Sequence, residues 1–130
     1  DGVSDDPLYE FALDSRKAGL TGPTLAVEAD PSLCKQHRTN LPWVRLACSM
    51  ITPQNTLQIV RPVFSTLPAR DALDVLKVDL DSFEAFVLEE CLWRVGLRPK
   101  LVLVEVNAGI PPPLQYALLD SPQLRAHYPE

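Results

Sequence analysis

Residues 74–90 read DVLKVDLDSFEAFVLEE, and this stretch decides the fold class. Its first part, DVLKVDL (74–80), predicts a strand that ends in two carboxylates, Asp79 and Asp81. Its second part opens SFEAFVLEECLWRVG (82–96). This segment predicts a helix because apolar residues recur on one broad face before Gly96, a natural stop. A strand that leads directly into a helix is the repeating element of α/β proteins.

The same alternation continues on both sides of this stretch. Two further helices are predicted to start where an aspartate precedes a proline, at Asp6 and at Asp30. Aspartate caps a helix start, and proline suits the first turn. The first of these helices is expected to stop at Gly19. Further strands are predicted over TLAVEA (24–29), WVRLAC (43–48) and KLVLVEVN (100–107).

Two segments give weaker patterns. Between 49 and 72 we expect a short helix from Thr52 through Val60, followed by loop, because Pro62 and Pro68 interrupt the pattern. After the three prolines at 111–113, one short helix is expected near 114–120.

The predicted strands are continuous apolar runs rather than alternating ones, which is typical of a parallel sheet covered on both faces. The predicted fold is therefore an open, doubly wound, mostly parallel α/β sheet. Residues 1–113 are expected to form this domain, with 114–130 as its C-terminal tail.

Composition narrows the possible partners and compartment. The 130 residues carry a net charge of −5 without any concentration of Lys and Arg, which argues against a nucleic-acid partner. There is no apolar run of membrane-spanning length and no signal-peptide pattern, so a cytoplasmic location is favoured.

Three cysteines without a CxxC spacing predict three buried thiols in a reducing compartment and no zinc site. His37 is expected to be a solvated helix residue.

Candidate site residues follow from the strand ends, because ligands of open α/β sheets bind beyond the carboxyl ends of the strands. The first predicted strand ends with Glu28, the third with Asp79 and Asp81, and the fourth with Glu105 and Asn107. On an extended strand, residues i and i+2 point the same way, so the last two pairs could each share a face.

Each of these residues also has a purely structural interpretation. Asp81 or Ser82 could cap the following helix, with Glu84 reaching back as in a capping box. Asp79 precedes the cap and is the stronger functional candidate. Asn107 could bond the backbone at the turn into the prolines. Lys77 needs a partner if it is buried, and Asp79 or Glu105 could supply one.

The two carboxylates at the first strand's end differ in the same way. Asp30 is expected to serve only as a helix cap. Glu28 is not needed for capping, and a carboxylate at this position of a nucleotide-binding unit typically accepts bonds from ribose hydroxyls.

The segments VLKVDLDSFEAFVLEE and PKLVLVEVN, in this order, resemble the FkbM-type S-adenosylmethionine-dependent methyltransferases. LAVEADPSLCKQHRTN resembles the second strand and helix of that family, and Asp1-Gly2 resembles the tail of its GaxDG loop. The resemblance covers roughly residues 1–110. Asp81-Ser82 departs from the Glu-Gly that many members carry, and NAGIPPP resembles a subgroup feature.

The resemblance implies a Rossmann-like methyltransferase that uses S-adenosylmethionine to methylate an oxygen of a small molecule or sugar. Glu28 would bind the ribose, and Asp1 and Gly2 would border the cofactor loop. Asp79, Asp81 and Asn107 would lie at the methyl-transfer locus.

The resemblance also implies that the first strand lies upstream of residue 1 and that the last antiparallel strands have no counterpart after 113. In the family's strand order 3-2-1-4-5-7-6, the chain would hold strands two to five. A chain without the central strand is expected to bind the cofactor weakly or not at all, and to be inactive on its own.

Two alternatives change the function. The oxygen atoms of Asp79, Asp81, Glu105 and Asn107 suit a hard divalent cation such as Mg²⁺, which would make the chain a metal-dependent α/β enzyme. The other alternative is a degenerate, non-catalytic α/β module retained for interaction with another chain.

Overall fold

The computed structural model describes residues 6–20, 22–65, 73–80 and 83–105. The chain forms two compact units, Asp1–Ile51 and Thr52–Glu130. The predicted short helix near 114–120 and the predicted tail 114–130 lie outside the described residues.

The first unit contains two helices and two strands, which alternate along the chain. They are α1 (Pro7–Lys17), β1 (Leu25–Glu28), α2 (Pro31–Asn40) and β2 (Arg45–Cys48). β1 and β2 are parallel neighbours, in a register that runs from Leu25 opposite Arg45 to Glu28 opposite Cys48. α2 connects the two strands and packs against both. This β–α–β arrangement is the one that the sequence predicts.

Both predicted caps of the first unit are confirmed. The Leu8 N–H donates to Asp6 Oδ1 at 2.8 Å, at the start of α1. The N–H groups of Ser32 and Leu33 donate to Asp30 Oδ1 at 2.6 and 3.3 Å, at the start of α2. Each aspartate therefore satisfies amides that have no partner within the helix.

The predicted stop of α1 is also confirmed. Gly19 follows the last turn with a φ of +76°, in the left-handed region that glycine tolerates best. Its N–H donates to the Arg16 carbonyl oxygen at 3.0 Å.

α2 buries one stripe of side chains, and this stripe includes His37. Cys34 is 2% exposed and His37 is 5% exposed, and Leu41, directly after the helix, is 4% exposed. These residues lie three and four positions apart and therefore share one helix face. The prediction that His37 is solvated is wrong, because its spacing from Cys34 and Leu41 places it on the buried face.

The second unit repeats the β–α–β arrangement after a further helix. Its elements are α3 (Thr56–Phe64), β3 (Val75–Val78), α4 (Glu84–Glu89), a π-helical segment (Glu90–Val95) and β4 (Leu101–Val104). β3 and β4 are parallel neighbours, in a register that runs from Val75 opposite Leu101 to Val78 opposite Val104. α3 packs against the π-helical segment, and α4 packs against β3.

α3 differs from the prediction at both ends. It begins at Thr56 rather than Thr52 and continues through Pro62 to Phe64. Thr56, Val60 and Val63 are its buried residues, spaced i, i+4 and i+7 along one face. Burial of this stripe outweighs the backbone hydrogen bond that the proline removes, so the expected break at Pro62 is wrong.

The helix predicted after Asp81 is confirmed over its main part. It starts at Glu84, where Phe83 occupies the cap position without a side-chain hydrogen bond to the helix. Phe83 is itself 5% exposed, so burial anchors this helix start. The last part, Glu90–Val95, has π-helical geometry and ends at Gly96, whose φ is +81°. Gly96 is the predicted stop.

The strand pairing confirms a mixed α/β fold with parallel strands. Among the described strands there are two separate two-stranded sheets rather than one larger sheet. The expectation that the strands are covered on both faces is wrong for β4, because Leu101 is 51% exposed and Val102 and Val104 are each 37% exposed. No helix among the described residues is both long and apolar enough to cross a bilayer.

Candidate functional site

The structure describes two of the six predicted site residues. Glu28 is the last residue of β1 in the first unit, and Asp79 directly follows β3 in the second. The other four predicted site residues lie outside the described residues: Asp1, Gly2, Asp81 and Asn107.

Glu28 contributes to the turn between β1 and α2. The Asp30 N–H donates to Glu28 Oε1 at 2.8 Å. Asp30 is the cap residue of α2, and its own side chain accepts the Ser32 and Leu33 amides of the first turn. Glu28 bonds the N–H of the cap residue rather than an amide of the helix, so it fixes the turn while Asp30 caps α2 without it, as expected.

The capping carboxylate of Asp30 is held in its ionised form. The pKa of Asp30 is lowered, first by its hydrogen bonds with Ser32 and then by the bond from the Leu33 amide. The carboxyl end of β1 therefore presents a second carboxylate, one that stays charged over the neutral pH range.

Asp79 forms an ion pair with Lys77, two residues earlier on the same face of β3. Asp79 Oδ2 lies 2.9 Å from Lys77 Nζ. The Lys77 side chain is 20% exposed and that of Asp79 is 44% exposed, so Asp79 gives a half-buried lysine a charged partner at the end of the strand. The prediction that Lys77 pairs with a strand-end carboxylate is confirmed.

Glu105 joins this cluster from the neighbouring strand. Its N–H donates to the Val78 carbonyl oxygen at 3.0 Å and so continues the β3–β4 hydrogen bonding past β4. The pKa of Asp79 is lowered, first by the hydrogen bond from Lys77 and then by one with Glu105. Asp79 is therefore held ionised in the cluster formed by Lys77, Asp79 and Glu105.

This geometry limits what Asp79 can do chemically. A general base works best when its pKa lies near the working pH, so a carboxylate with a lowered pKa is a weak proton acceptor. An ionised Asp79 is better suited to fix the Lys77 ammonium at the strand end, where a positive charge can attract an anionic or carbonyl oxygen. The ion pair gives Asp79 the structural explanation that the sequence had offered as the partner of Lys77.

Glu84, the first residue of α4, forms a hydrogen bond back to the end of the preceding strand. The Leu80 N–H donates to Glu84 Oε1 at 3.3 Å. Glu84 therefore reaches back as expected, but it is the first residue of α4, after Phe83 at the cap position, and it bonds the Leu80 amide rather than that of a cap residue. The predicted capping box is therefore wrong in its register. The residues offered there as the cap, Asp81 and Ser82, lie outside the described residues.

The described residues contain no group of three or more His, Cys, Asp or Glu side chains arranged to hold a metal ion. Two of the four proposed ligands, Asp79 and Glu105, are described, and Asp79 is paired with Lys77. The divalent-cation site stays a prediction.

The sequence interpretation missed one group of reactive side chains. Cys34 and Cys91 are buried as expected, but Cys48 is exposed, so the prediction of three buried thiols is wrong. Arg38 Nη2 donates to Cys48 Sγ at 3.4 Å. Cys34 and Arg38 lie one helical turn apart on α2, and this spacing was the available signal that both could face the end of β2.

Comparison with known proteins identifies no relative of this chain. No protein-family model, no curated protein and no solved structure matches this chain.

Proposed function

We propose that this chain is part of an S-adenosylmethionine-dependent methyltransferase that methylates an oxygen of a small molecule or sugar. The observation that carries the proposal is the strand pairing. In the strand order 3-2-1-4-5-7-6, the second strand is a parallel neighbour of the third, and the fourth is a parallel neighbour of the fifth. β1–β2 and β3–β4 form two such parallel pairs, each joined through a helix.

The side chain at the end of β1 fits a ribose. Glu28 is half-buried, and one of its carboxylate oxygens, Oε1, accepts the Asp30 amide. That hydrogen bond fixes the side chain at the carboxyl end of the strand, where nucleotide ribose groups bind in sheets of this kind. We assign Oε2 to a ribose hydroxyl, because an ionised carboxylate accepts hydrogen bonds at both oxygens.

S-adenosylmethionine would supply an activated methyl group on a positively charged sulfur. Displacement by the acceptor oxygen would leave S-adenosylhomocysteine, and the proton of an acceptor hydroxyl would pass to solvent. The protein's contribution to such a reaction is mainly proximity and orientation. We assign Asp79 a positioning role through the Lys77 ammonium rather than the role of base, because its pKa is lowered. Asp81 and Asn107 remain proposed beside it, with Asp1 and Gly2 proposed at the cofactor loop.

Saturation-transfer NMR tests the proposal, because it detects ligands that bind weakly. Millimolar S-adenosylhomocysteine, adenosine and S-adenosylmethionine are each added to the 130-residue chain. We expect transfer to the ribose and adenine protons, a loss of that transfer in Glu28→Ala, and its retention in Asp79→Ala.

The two variants provide matched controls, since each removes one strand-end carboxylate. Equal saturation transfer to the ligand in wild type and in Glu28→Ala would show that Glu28 does not bind the cofactor. No transfer to any of the three ligands in the folded wild-type chain would remove the proposed nucleoside site at Glu28 from this chain, which is expected to bind the cofactor weakly at most.

The interaction module is the second candidate, and one observation favours it. β4 carries the exposed apolar side chains Leu101, Val102 and Val104, and among the described strands only β3 pairs with it. Exposed apolar strands of this kind pair with strands of other chains. Sedimentation velocity of wild type and Leu101→Lys tests this candidate: association that the lysine abolishes supports it, and a monomer at every concentration removes it.

A further inference from the structure

Two thiols of the first unit meet at the end of the β1–β2 pair. Cys48 is the last residue of β2, and its register partner on β1 is Glu28. The Cys34 Sγ, from α2, donates to the Glu28 carbonyl oxygen at 3.4 Å. The Cys48 Sγ accepts a hydrogen bond from Arg38 of the same helix at 3.4 Å. Both sulfurs therefore lie on the α2 side of this strand end, and Cys34 and Arg38 are one helical turn apart on α2.

The two thiols differ in access to solvent. Cys48 is exposed, whereas Cys34 is 2% exposed. Burial, followed by the hydrogen bond with Cys48, raises the pKa of Cys34 to about 11. A reagent from solution therefore reaches Cys48 first, while Cys34 stays protonated behind it.

Arg38 adds positive charge beside the exposed thiol. Its Nη2 donates to Cys48 Sγ at 3.4 Å. The nucleophile in thiol–disulfide exchange is the thiolate, and a nearby arginine stabilises negative charge on sulfur. One exposed thiol, one guanidinium and one buried second thiol form the arrangement of a reactive cysteine backed by a resolving cysteine.

We propose that Cys48 is a thiol-modification site for low-molecular-weight disulfides of the glutathione class, and that Cys34 resolves the adduct into an intrachain disulfide with Cys48. This site is independent of methyl transfer and does not rest on the proposed function.

The chemistry is two exchange steps. The Cys48 thiolate attacks one sulfur of oxidised glutathione, so a Cys48–glutathione bond forms, the glutathione S–S bond breaks, and one glutathione thiolate leaves. Cys34 then loses its proton and attacks the Cys48 sulfur, which releases the second glutathione thiolate. The two protein thiols are oxidised to a disulfide, oxidised glutathione is reduced to two glutathione thiols, and the protons from the protein pass to them.

Cys91 provides the internal comparison. It is 2% exposed, and burial raises its pKa to about 11, with the Glu90 carboxylate as a smaller cause. It belongs to the second unit, where the structure describes no other cysteine. A buried cysteine that serves only as a small core residue is expected to behave as Cys91 does.

The test treats the native chain with oxidised glutathione and reads intact mass and peptide maps. We expect wild type to lose two hydrogen atoms and to give one peptide pair linked through Cys34 and Cys48. Cys34→Ala should stop at a stable glutathione adduct on Cys48, and Cys48→Ser should leave Cys34 and Cys91 unmodified. Cys91→Ser should behave as wild type does.

Three results would overturn the proposal. These are a wild-type chain that keeps its glutathione adduct, one that does not react, and one whose Cys91 reacts as fast as Cys48. Because the wild-type experiment alone separates these results from the expected one, the proposal stays testable even if loss of the buried Cys34 side chain unfolds that variant. In Arg38→Gln we expect the first step to slow several-fold, and an unchanged rate would remove the arginine from the site.

Discussion

The first strand of each parallel pair, β1 and β3, is followed by the same pattern of two acidic residues two positions apart, but the first carboxylate of each pattern binds a different group. β1 leads into Val27-Glu28-Ala29-Asp30, and β3 leads into Val78-Asp79-Leu80-Asp81. In the first unit both carboxylates bind backbone amides at the start of α2. In the second unit the first carboxylate binds the Lys77 ammonium instead.

The residue two positions earlier accounts for much of this difference. Ala26 precedes Glu28, which bonds the amide two residues ahead, whereas Lys77 precedes Asp79, which pairs with its ammonium group. α4 then starts without a side-chain cap and is anchored by the buried Phe83. The role of an acidic residue at a strand end therefore depends on its neighbours.

The largest expected effect is the destabilisation of the second unit by a substitution at Phe83. Replacing it with alanine removes a ring that is 5% exposed at a helix start with no side-chain cap bond. We expect Phe83→Ala to lower the free energy of unfolding by about 3–5 kcal/mol. Urea denaturation measures this, with Leu101→Ala, at a site 51% exposed, as the control in the same unit.

Each unit has its own fluorescent reporter for such experiments. Trp43 lies in the first unit and Trp93 in the second, and the chain has two tryptophans in all. Trp43→Phe and Trp93→Phe therefore separate the two unfolding signals. A loss in Phe83→Ala no larger than in Leu101→Ala would mean that burial does not anchor α4.

The next largest effect is a loss of stability of the first unit at mildly acidic pH, caused by protonation of the buried His37. Burial lowers the pKa of His37 below its usual 6.5, against the smaller opposing effects of the Asp6 and Glu28 carboxylates. The unfolded chain then binds the proton more readily than the folded one, so stability is full above pH 6.5 and falls as the pH drops toward the folded pKa. We expect this loss in the Trp43 signal of the first unit.

Two histidine variants test whether His37 causes this loss of stability. His37→Leu should flatten the dependence between about pH 5 and 7, where histidine but not carboxylate side chains ordinarily titrate. His127→Gln should leave it in place. A slope that survives in His37→Leu, or that disappears in His127→Gln, would contradict the assignment.

A smaller effect tests the helix start of the first unit. Glu28→Ala removes the acceptor of the Asp30 amide and should lower the free energy of unfolding by about 1 kcal/mol. Glu28→Gln keeps an oxygen in the same place and should be close to neutral. Equal losses in the two variants would show that the charge of Glu28, rather than this hydrogen bond, stabilises the turn.

The smallest expected effect concerns the Lys77–Asp79 pair. Because Asp79 is 44% exposed, solvent screening should leave a coupling of about 0.5 kcal/mol in a double-mutant cycle of Lys77→Met and Asp79→Asn. The lowered pKa of Asp79 means that this contribution is present above pH 3.8 and is lost as the pH falls through the folded value. Asp79→Asn should therefore weaken the acid dependence below pH 3.8, and zero coupling would show that the pair with Lys77 does not stabilise the fold.

The sequence predicted the features that depend on local interactions. The order of helices and strands, the caps at Asp6 and Asp30, and the stops at Gly19 and Gly96 follow from residues close together in the chain. The Lys77–Asp79 pair was also predictable, since strand geometry alone puts residues i and i+2 on one side.

The missed features depend on packing between elements. The burial of His37, the continuation of α3 through Pro62 and the exposure of Cys48 are set by neighbours distant in sequence. Single-sequence periodicity gives the faces of a helix but does not say which face another element covers. The π-helical segment likewise gave no recognised signal in the sequence.

We propose that the end of β1 binds a nucleoside through Glu28, whereas Asp79 at the end of β3 fixes Lys77. The most direct test is a protein-observed NMR titration with S-adenosylhomocysteine, read at the backbone amides of residues 27–30 and 78–80. The account predicts weak, saturable shifts at 27–30 that disappear in Glu28→Ala and persist in Asp79→Ala. Shifts confined to 78–80, or shifts at 27–30 that persist in Glu28→Ala, would contradict it.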